Sequence, residues 1–250
     1  MTLAGTVKTK LTSLAARMVR VHPARLAGKR PVASITFDDF PQNAWQVGGP
    51  ILARHGVRAT YYTAGGFCGR TVEGTRFFGA HDLEALAAAG HEIGCHGFGH
   101  QPTPALPDDD LMQDWARNRE FLKRFTGGAE PVSYAYPHGR ASLRTKRFLA
   151  PRFASLRGVH QGVNRGDVDL AQLEVMSLET RCWKPARLEA AIRRTLSDRG
   201  WLIFYTHDVS DTPSRYGSTP AMLDWALARL AAAGIEVLPV REALAAALDR

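Results

Sequence analysis

The sequence is poor in cysteine, and the few cysteines that it has show no pairing pattern. Its 250 residues include three, Cys68, Cys95 and Cys182, and none lies in a CxxC spacing. An odd number without such spacing argues against a disulfide framework. We interpret all three as buried free thiols. Cys95 should point away from the histidine that follows it, because neighbouring strand residues face opposite sides.

The sequence also lacks a long hydrophobic run. No segment reaches the roughly 20 apolar residues that span a bilayer, and no apolar stretch of secretory-signal type follows the first residues. Linkers rich in proline, glycine or serine are missing as well, and so are internal repeats. A chain of 250 residues with these properties is typical of one large domain, and the default expectation is a cytoplasmic location.

Acidic residues are missing from the first part of the chain. Seven Lys and Arg residues precede the first acid, Asp38, so this part carries +7 of the net charge of +8 and the remainder carries +1. No basic stripe follows, and no nucleic-acid partner is predicted. Apolar residues at helical spacing predict a helical basic arm over residues 1–30. The arm would make a weak contact with an anionic membrane surface, or it would pack on the domain with a solvated basic face.

Beyond the arm, apolar segments of strand type alternate with segments of helix type. Strands are predicted at 32–37, 59–63, 91–95, 131–136 and 201–206, with weaker ones near 153–159, 173–178 and 235–238. Helices are predicted at 44–55, 81–89, 108–125, 185–198, 219–233 and 240–248. This alternation predicts an α/β fold with a parallel sheet over residues 31–250, most simply a closed barrel in a single domain. A doubly wound open sheet is the alternative.

Three segments with catalytic residue types each follow a predicted strand. They hold the acid pair Asp38-Asp39, the histidines His96 and His100 at i, i+4 spacing, and His207. In α/β barrels the C-terminal strand ends carry the chemistry. A carboxylate and two imidazoles suit a metal ion, which leaves one carboxylate as base and one imidazole as acid. The trio predicts a metal-dependent hydrolase, although each member alone could be a turn cap or a core histidine.

Two further segments are candidates for contact with the substrate. The stretch 134–139 ends in proline and glycine, and such a turn can aim backbone N–H groups at a developing oxyanion. The stretch 211–220 follows His207 directly and is typical of a loop at the barrel mouth. Its Arg215 and Tyr216 are candidate substrate contacts, with Arg215 a candidate for anion binding. The alternative is an ordinary rim loop.

In this order, the segments resemble the motifs of the polysaccharide deacetylases, carbohydrate esterase family 4, which include the nodulation-type chitooligosaccharide deacetylases. The matches span residues 32–207. The resemblance implies a distorted (β/α) barrel of about seven parallel strands. It implies Asp38 as general base and His207 as general acid. It also implies three metal ligands, Asp39, His96 and His100. The turn that forms the oxyanion hole would contain Pro137 and His138, and Phe204 would form a wall of the pocket for the acyl methyl group.

The sequence departs from the family pattern at several positions. Phe40 stands where the first motif has glycine, and Gly97 stands where the second motif has serine or threonine. Ala135 stands where the family has an arginine that holds the catalytic base, and the resemblance leaves open what replaces it; Arg140 and Arg165 are candidates. A fourth motif, which supplies an aspartate, is not recognised, and only Asp167 and Trp183 resemble remnants of it.

The resemblance implies a metal-dependent hydrolase that removes an N-acetyl or related acyl group from an amino sugar or similar amide by attack of water at the metal. The donor set suits one divalent ion, zinc above all, with cobalt, manganese or iron as alternatives. N-acetylated sugars, oligosaccharides or lipid-linked sugars are the expected substrates. Two other functions stay open: an inactive carbohydrate- or metal-binding barrel, and a hydrolase of non-sugar linear amides.

Overall fold

A computed structural model of the protein describes residues 16–248, so the first half of the predicted basic arm lies outside the described residues. The strands are β1 (Pro23–Arg25), β2 (Val32–Phe37), β3 (Thr60–Thr63), β4 (Thr71–Val72), β5 (Thr75–Arg76), β6 (Glu92–Cys95), β7 (Ser133–Ala135), β8 (Ser155–Gln161), β9 (Asp167–Asp169), β10 (Leu173–Ser177), β11 (Trp201–Thr206) and β12 (Glu236–Val237). The helices are α1 (Gln42–Gln46), α2 (Gly48–Arg54), α3 (Ala80–Ala88), α4 (Asp108–Lys123), α5 (Leu143–Leu149), α6 (Pro185–Asp198), α7 (Pro220–Ala232) and α8 (Val240–Leu248).

Seven parallel strands form a closed barrel in the order β2, β3, β6, β7, β8, β10 and β11. Strand β11 closes it by pairing with the whole of β2, from Trp201 opposite Val32 to Thr206 opposite Phe37. The predicted barrel of about seven parallel strands is therefore confirmed, and the open-sheet alternative is wrong. Closure brings the carboxyl ends of β2, β6 and β11 to one face of the barrel.

The barrel is distorted where an eighth strand joins it. Strand β12 pairs with the first two residues of β2, Val32 and Ala33, whereas β3 pairs with its last two, Thr36 and Phe37. One edge of β2 is thus shared by two strands. The barrel opens at the N-terminal end of β2 and stays closed at the C-terminal end, where the acid pair follows.

Alternate residues of the barrel strands face two separate hydrophobic layers. On β11, Ile203 and Tyr205 pack in the barrel interior, whereas Leu202 and Phe204 pack in the layer between barrel and helices. The period of two follows from strand geometry, in which successive side chains point to opposite faces. This alternation decides which side chain of a strand reaches the C-terminal opening.

The described part of the basic arm is attached to the barrel by a buried lysine. The Lys146 ammonium, which is fully buried, donates to Ala16 O at 2.5 Å and Val19 O at 2.8 Å, and it pairs with Asp169 Oδ2 at 2.5 Å. Strand β1 then pairs antiparallel with β9. Within residues 16–248, no helix is long and apolar enough to cross a bilayer.

Two details differ from the predictions. The helix predicted at 44–55 is two helices, α1 and α2, because Pro50 has no N–H to continue the first one and instead lies in the first turn of the second. The thiols differ in burial. Cys95 is buried, Cys68 is half-buried, and Cys182 is exposed in a turn that follows β10, so the prediction that all three are buried is wrong for Cys182.

His91, which precedes β6, should make stability fall in acid. Its Nδ1 accepts a hydrogen bond from the Ala59 N–H at 3.0 Å, and burial, assisted by the charge of Arg58, lowers its pKa from 6.5 to about 4. Between these values the unfolded chain binds the proton more tightly, so the free energy of unfolding is highest above pH 6.5 and falls as the pH drops towards 4. The loss is up to about 3 kcal/mol.

Urea unfolding at pH 7.5 and pH 5 measures this loss. His91→Gln, which keeps a hydrogen-bond acceptor but does not titrate, should lose about 2 kcal/mol less than the wild type over this interval. Equal losses in the two proteins would exclude His91 as the cause.

Candidate active site

The predicted catalytic residues meet in one pocket at the C-terminal face of the barrel. Asp38 and Asp39 follow β2, His96 follows β6, and His207 follows β11. Together with His100 they line a pocket of about 690 Å³. The pocket is the position at which barrel enzymes carry their active sites.

Asp39, His96 and His100 point three ligand atoms at a common position. Their ligand atoms all lie within 4.8 Å of one another, with Asp39 Oδ1 at 2.8 Å from His100 Nε2 and 3.1 Å from His96 Nε2. His96 Nδ1 lies 2.7 Å from Ala135 O, and because a carbonyl only accepts, the proton is on Nδ1 and the Nε2 lone pair faces Asp39. The buried Oδ1 of Asp39 accepts no well-formed hydrogen bond within the described residues. Facing lone pairs of this kind fit a cation between them.

The charge state of Asp39 fits the same arrangement. Burial by itself would raise its pKa, but the imidazoles of His100 and His96, when they are protonated and donate to it, hold that pKa well below the usual range. Asp39 is therefore a carboxylate at neutral pH. A carboxylate with two imidazoles is a donor set that binds zinc and other divalent transition metals.

Strained backbone conformations cluster around this position. Asp39, Phe40, His100 and His138 all have positive φ, between 52° and 62°. Residues other than glycine adopt positive φ only where the surrounding structure holds them there, and such residues concentrate at functional sites. Phe40 occupies the place where the family motif has glycine. Its ring is fully buried and stacks on Phe78 at 4.9 Å, which offsets part of the cost.

The loop between His96 and His100 is shaped by a carboxylate that the sequence did not single out. Asp114 on α4 accepts hydrogen bonds from the backbone N–H groups of Phe98 at 3.0 Å and Gly99 at 2.7 Å. Gly97 has φ of +69°, and a Cβ there would lie 2.7 Å from Asp114 Oδ2. The glycine therefore permits a tight loop that carries His100 back towards Asp39.

Asp38 lies against a buried arginine. The Arg157 guanidinium on β8 donates to Asp38 Oδ1, and both side chains are almost fully buried. The guanidinium also lies 4.5 Å from the centre of the Tyr62 ring. Burial by itself would lower the pKa of Arg157, but the charge of Asp38 raises it above its usual value. The contact holds Asp38 in one orientation beside Asp39.

His207 is oriented by a carbonyl and a second buried carboxylate. Its Nδ1 lies 3.1 Å from Tyr216 O and 3.6 Å from Glu179 Oε1, and its Nε2 lies 4.0 Å from Asp39 Oδ2. The proton on Nδ1 thus faces acceptors, and Nε2 faces the pocket. Glu179 is fully buried and accepts hydrogen bonds from Ser177 Oγ at 2.8 Å and Arg181 Nε at 2.9 Å.

The turn that follows β7 presents one amide that donates to no acceptor within residues 16–248. In the turn Pro137–Gly139, the Gly139 N–H donates to Tyr136 O at 2.8 Å and the Arg140 N–H donates to Pro137 O at 3.1 Å. The N–H of His138 takes part in neither bond. The His138 side chain lines the pocket, and its Nε2 lies 3.2 Å from His100 O.

Comparison with known families agrees with this geometry. A family model described as polysaccharide deacetylase matches residues 26–150, which is half of the chain. This protein belongs to the polysaccharide deacetylase family. Among curated proteins, none matches the sequence.

Solved structures of this family share the fold of the protein. The T48 deacetylase, solved with substrate, is 16% identical with a TM-score of 0.60 and covers 88% of this chain and 93% of its own. A family 4 acetyl xylan esterase from Clostridium thermocellum, in complex with a cobalt ion, is 20% identical with a TM-score of 0.59. The match covers 85% of this chain and 89% of the esterase chain. A CE4 family pseudoenzyme from Bacillus anthracis is 14% identical with a TM-score of 0.62. The match covers 89% of this chain and 68% of the pseudoenzyme chain. Because one neighbour is a pseudoenzyme, likeness of fold does not by itself establish turnover.

The arginine that the polysaccharide deacetylase pattern places at Ala135 is supplied from the next strand. Ala135 on β7 lies directly opposite Arg157 on β8 in the sheet register. Arg157 reaches Asp38 from this neighbouring strand. Arg165 instead pairs with Asp198 at 3.2 Å, and Arg140 is exposed.

Other predicted site residues lie where the resemblance did not place them. Phe204 is fully buried in the layer beneath the helices and does not line the pocket, whereas Tyr205 does. The strand alternation explains this, since Tyr205 has the inward direction. Of the two suggested fourth-motif remnants, Asp167 pairs with Arg25 at 3.3 Å, and Trp183 packs on Trp225.

Three residues of the site were missed by sequence reasoning: Arg157, Glu179 and Asp114. Glu179 carries a signal that could have revealed it, because it follows a strand end as Asp38, His96 and His207 do. Arg157 lies inside a strand and Asp114 inside a helix, so their contacts depend on packing alone. Arg215 and Tyr216, which the sequence did indicate, line the pocket.

Proposed function

We propose that this protein hydrolyses an N-acetyl or related acyl group of an amino sugar, with one divalent metal ion as cofactor. The observation that supports this is the meeting of three candidate ligand atoms in a pocket that also holds a second carboxylate and a third imidazole. Asp38 and His207 line the same pocket as Asp39, His96 and His100, and His207 Nε2 lies 4.0 Å from Asp39 Oδ2. Hydrolysis of an amide needs a base and an acid placed in this way.

The ligand set would hold zinc, and cobalt, manganese or iron are alternatives with the same donors. Asp39 would supply one oxygen, and His96 and His100 would supply one nitrogen each. When bound, the ion would act as a Lewis acid and lower the pKa of water at the site. The hydrogen bond from His96 Nδ1 to Ala135 O fixes the ring in the tautomer that a ligand needs.

Asp38 is the proposed general base. It accepts the proton of the attacking water, and Arg157 keeps the carboxylate in place while it does so. Attack converts the flat amide into a tetrahedral centre with negative charge on the former carbonyl oxygen. The free N–H of His138 can donate to that oxygen, and such a donor is typically worth ~3 kcal/mol.

His207 is the proposed general acid. Its Nε2 faces the pocket and delivers a proton to the departing nitrogen, so that the products are a free amine and acetate. Glu179 and the carbonyl of Tyr216 orient the imidazole through Nδ1, so that Nε2 stays directed at the pocket.

The site favours a hydrolase over an inactive binding barrel. An alanine at position 135, without an arginine to hold the base, would favour a binding barrel, but Arg157 makes that contact with Asp38 instead. A site that only bound sugar or metal would need neither Asp38 nor His207 in these orientations. We therefore propose an N-acetylated sugar, oligosaccharide or lipid-linked sugar as substrate.

Acetate release from N-acetylated chitooligosaccharides, measured together with the metal content of the purified protein, tests the proposal. We expect about one divalent ion per chain and release of acetate. His207→Gln should lower kcat by about 10²-fold or more while the metal content stays unchanged, because an acid is lost but no ligand. Bound metal without acetate release would direct the search to non-sugar amides. A protein that binds no metal and hydrolyses neither class would refute the proposal.

A further inference from the structure

The rim of the pocket carries two guanidinium groups beside one aromatic ring. The Tyr216 ring lies 4.4 Å from the Arg181 guanidinium carbon and 5.4 Å from that of Arg215. The same ring lies 5.6 Å from the ring of His207. The positive rim is therefore separated from the general acid by a single side chain.

The two arginines differ in their charge balance. Arg181 is bound to Glu179 through two nitrogens, at 2.9 Å and 3.2 Å, so most of its charge is neutralised inside the protein. Arg215 forms no ion pair with any residue in the described range 16–248. It lines the pocket with an exposed, uncompensated positive charge.

The acids of the pocket do not compete for Arg215. Four of them are already engaged: Asp38 with Arg157, Asp39 with the two imidazoles, Glu179 with Arg181, and Asp208 with Ser214. The fifth, Glu73, lies in the exposed turn between β4 and β5. This turn belongs to the segment that follows β3, whereas Arg215 belongs to the segment that follows β11. Within residues 16–248, Arg215 therefore has no carboxylate partner at the pocket and can pair with an anionic ligand.

Hydrogen bonds from both neighbouring segments hold the loop that carries Arg215 in one conformation. Asp208 accepts the Ser214 N–H at 2.8 Å and the Ser214 hydroxyl at 2.5 Å, and Thr180 Oγ1 donates to Ser214 O at 3.0 Å. At Gly217 a Cβ would lie 2.3 Å from Asp208 Oδ1, so only glycine permits this packing. A fixed loop presents its arginine at little entropic cost on binding.

From this arrangement we propose that Arg215 binds an anionic group of the substrate, and that the substrate is an acidic N-acylated saccharide. The inference rests on the proposed hydrolytic function and adds the substrate class. Because Tyr216 touches both His207 and Arg215, the anion lies on the sugar that bears the amide or on the next one. A guanidinium binds carboxylate and phosphate with the same two-pronged geometry, so either group fits.

Matched tetrasaccharides test the proposal. One carries a carboxylate on the sugar next to the N-acetylated unit, the second is its methyl ester, which has nearly the same size without the charge, and the third carries a 6-phosphate. We expect kcat/KM to be about five- to tenfold higher for the carboxylate or the phosphate than for the ester. The preference should shrink in 0.5 M salt because the site is exposed.

Arg215→Gln should bring this ratio close to one. Arg76→Gln removes an exposed arginine of the β5 edge that does not line the pocket, and it should leave the ratio unchanged. A ratio near one in the wild type, or a ratio that survives Arg215→Gln, would overturn the proposal. The phosphate and carboxylate arms show which anion is preferred.

Affinity measurements separate this proposal from the proposed reaction. Calorimetric titration of Asp38→Asn with the same tetrasaccharides reports charge preference without turnover. If the protein with Asp38 intact releases no acetate from any of them, the hydrolytic function fails, and the calorimetric ratio for the carboxylate and its ester still decides whether Arg215 binds an anion.

Discussion

Replacing Asp39 by asparagine is expected to lower amide hydrolysis by more than about 10³-fold and to remove the metal ion from the purified protein. Asp39 Oδ1 is the oxygen nearest to both imidazole Nε2 atoms, at 2.8 Å and 3.1 Å. An amide oxygen carries no full negative charge, so the variant would offer two neutral imidazoles and a weak oxygen to a divalent cation. Loss of the ion would remove several kcal/mol of transition-state stabilisation.

Asp38→Asn is the matched control, because it changes the neighbouring carboxylate in the same way. It should lose activity but retain about one ion per chain, since Asp38 is held by Arg157 rather than by the histidines. A chelator should inactivate the wild type, and added zinc or cobalt should restore it, whereas Asp39→Asn should respond to neither. Full metal content in Asp39→Asn would show that Asp39 is not a ligand.

Replacing Arg157 by methionine is expected to lower both stability and activity. The substitution keeps a long side chain within the barrel but leaves the Asp38 carboxylate buried without its partner. Breaking a buried ion pair in this way typically costs about 3 kcal/mol of unfolding free energy. The base would also lose its fixed orientation, so kcat should fall by about 10²-fold. Urea unfolding and acetate release measure the two effects.

The register of β7 and β8 provides a rescue experiment for Arg157. Ala135 lies opposite Arg157, so the double variant Ala135→Arg with Arg157→Ala moves the guanidinium to the strand where the family pattern has it. The double variant should recover a measurable part of the activity that Arg157→Ala alone loses. If Arg157→Met has wild-type kcat and only reduced stability, Arg157 supports the fold and not the base.

The elements that the sequence predicted best are those whose pattern is purely local. Strand β11 and helix α6 begin and end at the predicted residues, Trp201–Thr206 and Pro185–Asp198. The strand is apolar on both faces and is bounded by glycine and histidine, and the helix starts with proline in its first turn. The short strands β1 and β9 were not predicted, because each exists only through its pairing with the other.

The candidate site shows the same division. The residues that follow strand ends could be found in the sequence, because a closed parallel barrel brings all such ends to one face. Roles within the site stay predictions, yet the placement of Asp38, Asp39, His96, His100 and His207 in one pocket agrees with them. The family resemblance implied that Phe204 lies at the pocket, and the strand alternation puts Tyr205 there instead.

What the sequence by itself determined is the alternation of strands and helices, the catalytic residue types and their order, and these follow from patterns within short windows. Only the tertiary structure decided which side chains support them. Arg157 reaches Asp38 across 119 positions of sequence, and Glu179 reaches His207 from the neighbouring strand end. Such partners are set by strand register and by the direction of buried side chains. Neither leaves a local pattern, because any residue of suitable charge that reaches the same point can satisfy the contact.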